Sequence, residues 1–457
     1  MQRLLLLLLV PLFLCSCTVS DKRNDNSSSF TTSEIEGGVS ITQYRGSDKI
    51  VYIPDTIKGK KVVEISDNVF VGKRFLTKIV VCGNGIKKIG TGAFASNKKL
   101  ESIEGLNNLE SIGEYAFAEC DALTEISLGG NITRIEKGTF TGCESLERVV
   151  LPTSVKQIGK SAFEGCKNLT FVTGTENVEI IEEYAFASCM KLSDISAKKA
   201  VCQYDSFKNA PAAAGFNVPI RPQNLTFDGT EMTPVFTDDF DGDDIDLTKW
   251  SKCPEWQRQL GYWEDDNSFT DKNGNLILLV DVTQDGTMRS GAIRTAGKFS
   301  QERGRFEARC KLGEIQGFWG AFWLMPVNGS SMASDNNNQS SVDGCEVDIF
   351  ESPYLTTNSV NYAIHWDGYG SNHKSTSNAP SVPNLYYGYH TFTLDWTESE
   401  YIFYIDGVEY WRTSAAGIQI GESYMKLTVE IGAWGGTLDT RLCPTNALTV
   451  DYVKTWQ

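Results

Sequence analysis

The chain has 457 residues, of which 41% are hydrophobic and 11% aromatic, and this is enough for packed cores in roughly two or three domains. It holds 42 Lys and Arg residues against 58 Asp and Glu residues, a formal net charge of −16. This surplus of negative charge repels phosphate groups, so the composition excludes nucleic acid as a partner and disfavours direct binding to anionic lipid surfaces.

Residues 1–17 have the pattern of a secretion signal. Arg3 precedes an apolar run over residues 4–14, which is too short to span a bilayer and has the length of a signal-peptide core. The run ends in the letters LCSC, in which Cys17 follows a small residue, and this resembles the bacterial lipobox. The resemblance implies lipidation at Cys17 and a membrane anchor, as in an outer-membrane lipoprotein that faces the cell exterior. An ordinary cleaved secretion signal is the alternative.

Residues 18–34 read TVSDKRNDNSSSFTTSE and carry few apolar side chains. Such a segment cannot bury enough apolar surface to offset the entropy lost on folding. We therefore predict a flexible tether over this range.

A repeat of 23 residues occupies the next part of the chain, with copies such as IGEYAFAECDALTEI and IGKSAFEGCKNLTFV. The phenylalanines that recur at this period are Phe94, Phe117, Phe140, Phe163 and Phe186. A fixed period in this range predicts a solenoid, whose units bury their apolar sides by stacking on one another. The repeat resembles the cell-surface-antigen type of bacterial leucine-rich repeat over residues 35–215. The sequence leaves open whether this solenoid binds a protein or glycan partner or is only a spacer.

The repeat also carries a ladder of cysteines, namely Cys120, Cys143, Cys166 and Cys189. Equivalent positions in stacked coils can approach disulfide distance, so a disulfide or metal role is one interpretation. The other is that each cysteine fills the same small core position. Asn97 occupies this position in an earlier copy, and this favours the core interpretation.

The period stops at about residue 209, in a stretch rich in Pro, Ala and Gly, and we predict a linker over residues 216–231. Residues 232–457 then read as short alternating segments, such as GRFEARCKL and HTFTLDW, separated by Gly, Asn and Asp. Many short strands with regular turn signals predict a single antiparallel sandwich or barrel. The predicted fold class is therefore mainly β throughout.

The segment GCEVDIFES, residues 344–352, sets three acids among apolar residues. In a regular strand Glu346 and Asp348 share one face while Glu351 points away, and a bulge of one residue brings Glu351 back. A retaining glycosidase needs two carboxyl groups about 5 Å apart, one as nucleophile and one as acid/base. Asp348 between them crowds the negative charge and raises the pKa of whichever group stays protonated. A solvated sheet face is the alternative.

The segment GFWGAFWLMP, residues 317–326, places Trp319 and Trp323 on one face of a strand, about 13 Å apart. Aromatic rings at such a spacing suit the apolar faces of sugar rings. Packing of both indoles in a core is the alternative.

Several segments together resemble glycoside hydrolase family 16, the laminarinase and agarase group. The matching segments run in family order and are VFTDDFDG, SGAIRTAGKFSQERGRFEARCKL, GFWGAFWLMP, GCEVDIFES, AIHWDG, YHTFTLDWTESEYIFYIDGVEYW, IGAWGG and VDYVKTW. The resemblance covers residues 232–457 and implies an antiparallel β-jelly-roll sandwich. By that resemblance Glu346 is the nucleophile, Glu351 the general acid/base and Asp348 the assisting acid.

The same resemblance implies further residues of the substrate cleft. His365 and Trp366 are expected in the cleft, and Arg294 is expected to contact sugar hydroxyls. Gly320 departs from the family, which usually has proline there, and we expect this change to reshape a subsite. No cofactor is required by the resemblance, but a structural calcium ion is common in the family, with Asp451 at a ligand position. A surface acid on the last strand is the alternative for Asp451.

These observations predict a surface-anchored, retaining endo-β-glycanase. The leading substrate is a β-glucan with β-1,3 or mixed β-1,3/1,4 bonds, and a host or algal β-galactan is the alternative. A non-catalytic adhesin that binds sugar is a third interpretation, but pure binding needs no matched pair of carboxyl groups. The chain has three histidines and carries no Gly-x-Ser-x-Gly or His-Glu-x-x-His motif, so other hydrolytic chemistries have no support.

Overall fold

The computed structural model describes residues 27–193, 195–219, 225–227, 230–253, 256–258, 260–314, 316–327, 345–366, 371, 373–415, 417–437 and 443–457. The chain divides into two compact units between residues 220 and 221. The signal segment and Cys17 lie outside the described residues. Over the described ranges, no helix has both the length and the apolar character needed to cross a membrane.

The first unit consists of short strands and two 3₁₀ turns, Ser27–Ser29 and Pro211–Gly215. Its strands are β1 (Phe30–Ile35), β2 (Gly38–Tyr44), β3 (Ile50–Ile53), β4 (Thr56–Ile57), β5 (Lys60–Ile65), β6 (Lys78–Val81), β7 (Lys88–Ile89), β8 (Ser102–Glu104), β9 (Ser111–Ile112), β10 (Glu125–Ser127), β11 (Arg134–Ile135), β12 (Arg148–Val150), β13 (Gln157–Ile158), β14 (Phe171–Thr173), β15 (Ile180–Ile181) and β16 (Val201–Cys202).

The strands of successive coils pair in parallel, one coil after another. In one sheet β10, β12 and β14 are neighbours, and in a second sheet β11, β13, β15 and β16 are neighbours. The first unit is thus the leucine-rich-repeat solenoid that the 23-residue period predicts. The predicted tether is too long, however, because Phe30–Ile35 forms β1, which pairs antiparallel with β2. The centroids of the Phe30 and Tyr44 rings lie 5.3 Å apart. The mostly polar sequence of this segment gives no sign of the contact.

A ladder of stacked rings runs through the solenoid core. The rings of Phe94, Phe117, Phe140, Phe163 and Phe186 stack at centroid distances of 5.1–5.4 Å and are nearly parallel. Offset stacking at this distance adds to the burial of each ring. The repeated phenylalanine therefore forms a continuous stack along the core of the coils.

The cysteines of the ladder donate hydrogen bonds to the carbonyl groups of the stacked phenylalanines. The Cys120 thiol donates to the Phe94 carbonyl oxygen at 3.3 Å, and the later cysteines repeat this contact one coil on. At the equivalent position the Asn97 amide donates to the carbonyl oxygens of Phe70 and Phe94. Every cysteine that the structure describes is a free thiol. The position therefore requires a small side chain that donates a hydrogen bond inside an apolar core.

The described residues of the second unit contain the remaining strands and the 3₁₀ turns Asp265–Asn267, Leu355–Thr357 and Ala433–Gly435. Its strands are β17 (Leu225–Phe227), β18 (Thr230–Met232), β19 (Pro234–Asp238), β20 (Ser251–Lys252), β21 (Trp256–Arg258), β22 (Gly261–Trp263), β23 (Ser268–Thr270), β24 (Leu276–Val282), β25 (Met288–Ser290), β26 (Ala292–Arg294), β27 (Gly304–Leu312), β28 (Phe318–Pro326), β29 (Glu346–Tyr354), β30 (Ser359–Trp366), β31 (Lys374–Asn378), β32 (His390–Trp396), β33 (Tyr401–Ile405), β34 (Val408–Thr413), β35 (Ser423–Ile431) and β36 (Thr445–Trp456).

Two large sheets build this unit, a β-jelly-roll sandwich. One has seven strands in the order β20-β26-β35-β28-β29-β30-β31, and the other has eleven strands centred on β24, β36, β27 and β32. A separate antiparallel pair of strands, β17 and β18, overlaps the predicted linker over residues 216–231.

The seven-stranded sheet buries one face in the sandwich core and presents the other to the site. Phe322, Leu324 and Val347 belong to the core cluster, while Ala321 and Trp323 belong to a separate small cluster on the opposite face. This alternation follows from the two-residue period of a strand. We call the second face the site face and define it by Trp319, Ala321, Trp323, Asp348 and Glu351.

Candidate active site

Strand β29 has a bulge at Ile349. Along β28, Phe322 pairs with Phe350 while Trp323 pairs with Asp348, so Ile349 is the extra residue. The pairing of β29 with β30 shows the same irregularity after Asp348. The bulge that the acid spacing predicts is therefore confirmed.

The bulge brings three carboxyl groups to the site face. Glu346 lies opposite His365 and Glu351 lies opposite Asn361, both on β30. The intervening Val347 and Ile349 are buried in the sandwich core. The half-apolar character of this segment thus follows from a strand with one face in the core and the other in the site.

Asp348 is the most deeply buried of the three acids, with 3% of its surface exposed. Burial raises the pKa of its carboxyl group well above the usual range, and the negative charge of Glu346 raises it further. The ammonium group of Lys426 acts in the opposite direction but does not reverse the shift. Asp348 therefore holds its proton far above the pH at which an exposed aspartic acid loses it.

Glu351 is bonded by two neighbours on the site face. The Trp319 indole donates to Oε1 at 3.1 Å, and the Asn361 amide donates to Oε2 at 3.2 Å. Burial and then the neighbouring Asp348 carboxyl group raise the pKa of Glu351 to about 9, although both hydrogen bonds favour the ionised form. At neutral pH the Glu351 carboxyl group is therefore an acid with a proton to give.

The two predicted aromatic residues share the site face but are not open platforms. Trp319 is 3% exposed and Trp323 is 7% exposed. The Trp323 indole donates to the Thr428 hydroxyl at 3.0 Å, and the Lys426 ammonium lies 3.6 Å from its ring centroid. Both rings therefore form part of the wall of the site and hold its polar groups in position.

Two residues of the site were not identified from the sequence. Lys426 is buried, and its ammonium group lies between the rings of Trp323 and Trp263, at 3.6 and 4.7 Å from the centroids. Trp434 is 41% exposed and meets Trp319 edge to face at 5.3 Å, so it offers an accessible ring beside the site. The sequence did carry one signal for Lys426, namely a lysine in the alternating segment KLTVEIGAW at a position that faces the site.

Arg294 is placed in line with the carboxyl groups. Arg294, Lys426, Trp323 and Asp348 form one row across four neighbouring strands, each paired with the next. Strand spacing of about 4.8 Å puts the Arg294 and Asp348 backbones roughly 14 Å apart along this row. Such a position suits contact with a sugar unit away from the cleavage point.

His365 and Trp366 point in opposite directions. His365 lies 3.3 Å from Asp348, measured from Nε2 to Oδ2, and its Nδ1 lies 2.9 Å from Nε2 of His373. Trp366 instead belongs to the sandwich core, because neighbouring residues of a strand face opposite sides. The prediction that Trp366 lines the cleft is therefore wrong. Within the described part of the chain, Glu346, Asp348 and His365 form a group whose atoms are suitable for holding a metal ion.

Gly320 also lies on the core side of its strand. A side chain there would meet Leu448 of the other sheet, and the Gly320 N–H donates to the Ser352 hydroxyl at 3.0 Å. Proline could not donate this hydrogen bond. The departure from the family pattern therefore changes core packing, and the expectation of a reshaped subsite is wrong.

Asp451 lies in an environment that does not fit a calcium site. Its carboxylate accepts a hydrogen bond from the Arg309 guanidinium at 3.0 Å, and both side chains are buried. A calcium ion needs several oxygen ligands, and the guanidinium already supplies the opposite charge. Asp451 is thus neither a surface acid nor a fitting calcium ligand.

Comparison with known proteins gives the same two parts as the fold. Residues 257–454 match the family model of glycosyl hydrolases family 16, and residues 63–195 match six copies of the BspA type leucine rich repeat region. An endo-1,3-1,4-beta-glycanase, ExsH, of Rhizobium meliloti is 29% identical over 167 residues, which cover 36% of this chain and 33% of the relative.

Two further similar proteins have names that refer to two different polysaccharides. A keratan-sulfate endo-1,4-beta-galactosidase of Sphingobacterium multivorum is 26% identical over 252 residues, which cover 50% of this chain and 56% of the relative. A solved structure of a Bacteroides ovatus mixed linkage glucan GH16 protein with a G4G4G3G product is 24% identical and has a TM-score of 0.41. The similarity covers 48% of this chain and 99% of the chain in that structure.

The chain spans about a third of the length of the first curated relatives that it matches. The match to the family model includes β28, β29, β30 and β35, and so contains every residue that the site face contributes around the three acids. The unit that holds the site therefore belongs to glycosyl hydrolases family 16, and it follows a BspA type leucine rich repeat region.

Proposed function

We propose that the chain is a retaining endo-β-glycanase that cleaves internal bonds of a polysaccharide. The observation that carries the proposal is the bulge at Ile349, which sets Glu346, Asp348 and Glu351 on one face. A protonated acid beside a second carboxyl group is the arrangement that double displacement needs. A sugar-binding adhesin would have no use for an acid whose pKa is raised to about 9.

Each acid has a separate role in this mechanism. Glu351 gives its proton to the leaving glycosidic oxygen while Glu346 attacks the anomeric carbon and forms a glycosyl-enzyme ester. Glu351, now ionised, then takes a proton from water, whose oxygen breaks the ester and releases the sugar with retained configuration. Asp348 keeps its own proton and can share it with the nucleophile in a hydrogen bond. These steps use no cofactor.

A β-glucan with β-1,3 or mixed β-1,3/1,4 bonds is the leading substrate. The family match and the Rhizobium meliloti relative, an endo-1,3-1,4-beta-glycanase, support this choice. A β-galactan is the second candidate, because a keratan-sulfate endo-1,4-beta-galactosidase is similar over half of this chain. Reducing ends released by the full chain from laminarin, mixed-linkage glucan, agarose and keratan sulfate decide between the two. Release from none of these polymers contradicts the proposed substrates.

Azide rescue tests the two roles directly. Glu346→Ala is expected to be inactive on polymer and to recover turnover with azide and an activated β-glycoside that has a good leaving group, since azide fills the vacated space, displaces the leaving group and gives a glycosyl azide of inverted configuration. Glu351→Ala is expected to form the glycosyl-enzyme from a substrate with a good leaving group, and azide then gives a product of retained configuration. A wild-type first product of inverted anomeric configuration would show that the mechanism is wrong.

We also propose that Cys17 carries a lipid that holds the mature chain at the outer membrane, facing the cell exterior. The support is the apolar run over residues 4–14 followed by LCSC. Cys17→Ala is expected to move the chain from the membrane fraction to the soluble fraction. Cys15→Ala is the matched control and should leave the distribution unchanged. Membrane retention of the Cys17→Ala chain would exclude this anchor.

A further inference from the structure

Three side chains with metal-binding atoms converge at the end of β29. Glu346, Asp348 and His365 each offer one oxygen or nitrogen atom, and these atoms all lie within 4.8 Å of one another. The strand register causes the convergence, because Glu346 lies directly opposite His365 and Asp348 is the next residue on the same face. The group is therefore set by backbone pairing rather than by a chance meeting of long side chains.

The histidine of this group is held at one ring nitrogen by a neighbouring side chain. Nδ1 of His365 lies 2.9 Å from Nε2 of His373, and the two rings are nearly parallel. Nε2 of His365 then faces Asp348 at 3.3 Å. This hydrogen bond holds the ring in place, and the tautomer with its proton on Nδ1 leaves Nε2 to bind a cation.

A second and independent observation comes from Asp348. Its side chain is almost wholly buried, and its Oδ2 atom accepts no hydrogen bond within the described part of the chain. Buried carboxyl oxygen atoms normally have a hydrogen-bond partner or a cation, because leaving one without either is costly. Oδ2 is the same atom that faces His365. A cation between them would satisfy both.

The ligand types select the class of metal ion. One imidazole and two carboxylates suit Zn²⁺ or Cu²⁺, and three protein ligands leave a fourth tetrahedral position for water. Ca²⁺ and Mg²⁺ prefer about six or more oxygen ligands and bind imidazole poorly. Binding of the ion releases the Asp348 proton, and the two carboxylate charges then balance the charge of a divalent ion.

We propose that Glu346, Asp348 and His365 form a binding site for a divalent transition-metal ion, with Zn²⁺ as the leading ion. His373 is the outer partner of this site: it does not bind the ion but holds the His365 ring by a hydrogen bond. The inference does not depend on the proposed activity, because it concerns binding alone. If Glu346 is the nucleophile, a bound ion engages the oxygen that must attack the substrate. Zn²⁺ is then a reversible inhibitor that competes with the polysaccharide.

Calorimetric titration of the dialysed full chain with zinc chloride tests the site. His365→Asn removes a ligand and is expected to weaken binding at this site by well over about tenfold, while His373→Asn removes the outer partner and costs about tenfold. Glu398→Gln is the control, since its side chain is 88% exposed and remote in sequence from the site, and it should bind Zn²⁺ as the wild type does. Partly exposed thiols such as Cys82 can also bind zinc. Zinc binding at the proposed site is therefore the difference between the titrations of the wild type and of His365→Asn.

Thermal unfolding of each variant shows that it is folded, and Asp348→Asn provides a second ligand variant for comparison. Loss of one binding event in both His365→Asn and Asp348→Asn supports the site, even if no polysaccharide is cleaved. Unchanged stoichiometry and affinity in both variants would overturn it. Displacement of Zn²⁺ by an equal concentration of Mg²⁺ would also overturn it, because the group would then be an unselective acidic cluster.

Discussion

Glu351 receives opposing influences on its pKa from its neighbours. Trp319 and Asn361 each donate a hydrogen bond to the carboxyl group, which favours the ionised form. Burial and the nearby Asp348 favour the protonated form and raise the pKa to about 9. Burial and the neighbouring acids together therefore outweigh the two hydrogen bonds. The proposed general acid therefore keeps its proton across the neutral range.

The first prediction concerns the alkaline side of the pH profile. We expect kcat/KM to fall as the pH rises through about 9, because free enzyme then loses the Glu351 proton. Trp319→Phe removes a hydrogen bond that lowers this pKa, so the fall should move to higher pH. Trp434→Phe is the control, because it keeps the Trp319 indole N–H and should leave the fall in place. A shift to lower pH in Trp319→Phe would contradict the assigned cause.

The second prediction concerns stability and follows from the same raised pKa. The folded state holds the Glu351 proton up to about pH 9, whereas the unfolded chain releases it near the ordinary value of 4.5. Stability from this group is therefore present at low pH and is lost progressively as the pH rises between these values. Glu351→Gln cannot ionise, so it should be more stable than the wild type at about pH 8, by roughly 1–3 kcal/mol, and equal to it near pH 4.

Urea unfolding of the second unit at both pH values measures this difference. Glu398→Gln, with an 88% exposed side chain, is the control and should show little change at either pH. A stability gain for Glu351→Gln of the same size at both pH values would show that ionisation is not its cause.

At the scale of one strand, β29 shows how closely core and site residues are interleaved. Ile349 is fully buried in the sandwich core, although it lies between Asp348 and Glu351 in sequence. Its contribution to the site is backbone geometry, since the extra residue turns Glu351 to the site face. Its side chain and its backbone therefore have separable roles.

The third prediction separates these roles. Ile349→Ala keeps the bulge but removes buried methyl and methylene groups, so the free energy of unfolding should fall by about 2–5 kcal/mol while kcat of the folded enzyme stays close to wild type. Deletion of Ile349 restores regular alternation and turns Glu351 towards the core, so turnover should be lost. Turnover measured well below the unfolding temperature, with folding checked by circular dichroism, tests both. An active deletion variant would contradict the role of the bulge.

Particular residues show what the sequence could predict. The 23-residue period predicts the coils, and the spacing of three acids predicts the bulge, because each is a local rule of chain geometry. Trp366 was misplaced because similarity to a motif does not state which face of β30 a residue occupies. The Arg309 and Asp451 pair joins residues 142 positions apart, and no local pattern announces such a contact. Lys426 was missed because a lysine in an alternating segment does not show that its side chain packs on Trp263 and Trp323, which lie far from it in sequence.

At the scale of the whole molecule, the chain combines a solenoid and a sandwich that are compact separately. The solenoid core is a ladder of phenylalanines, and the sandwich core is a different cluster drawn from both sheets. Every residue assigned to the proposed chemistry lies between residues 294 and 434, in the second unit. A unit with its own core is expected to fold and act without its neighbour.

The last prediction follows from this separation. Deletion of residues 35–215 should leave kcat/KM on a short soluble oligosaccharide within about threefold of the full chain, since all of the proposed catalytic groups remain and remote changes usually contribute little. The same deletion carrying Glu346→Ala is the control for residual activity of other origin. Turnover on an insoluble polymer, measured beside the oligosaccharide, reports whether the solenoid contributes by binding. A large loss on the oligosaccharide, with the second unit still folded by its unfolding transition, would mean that the solenoid takes part in the site.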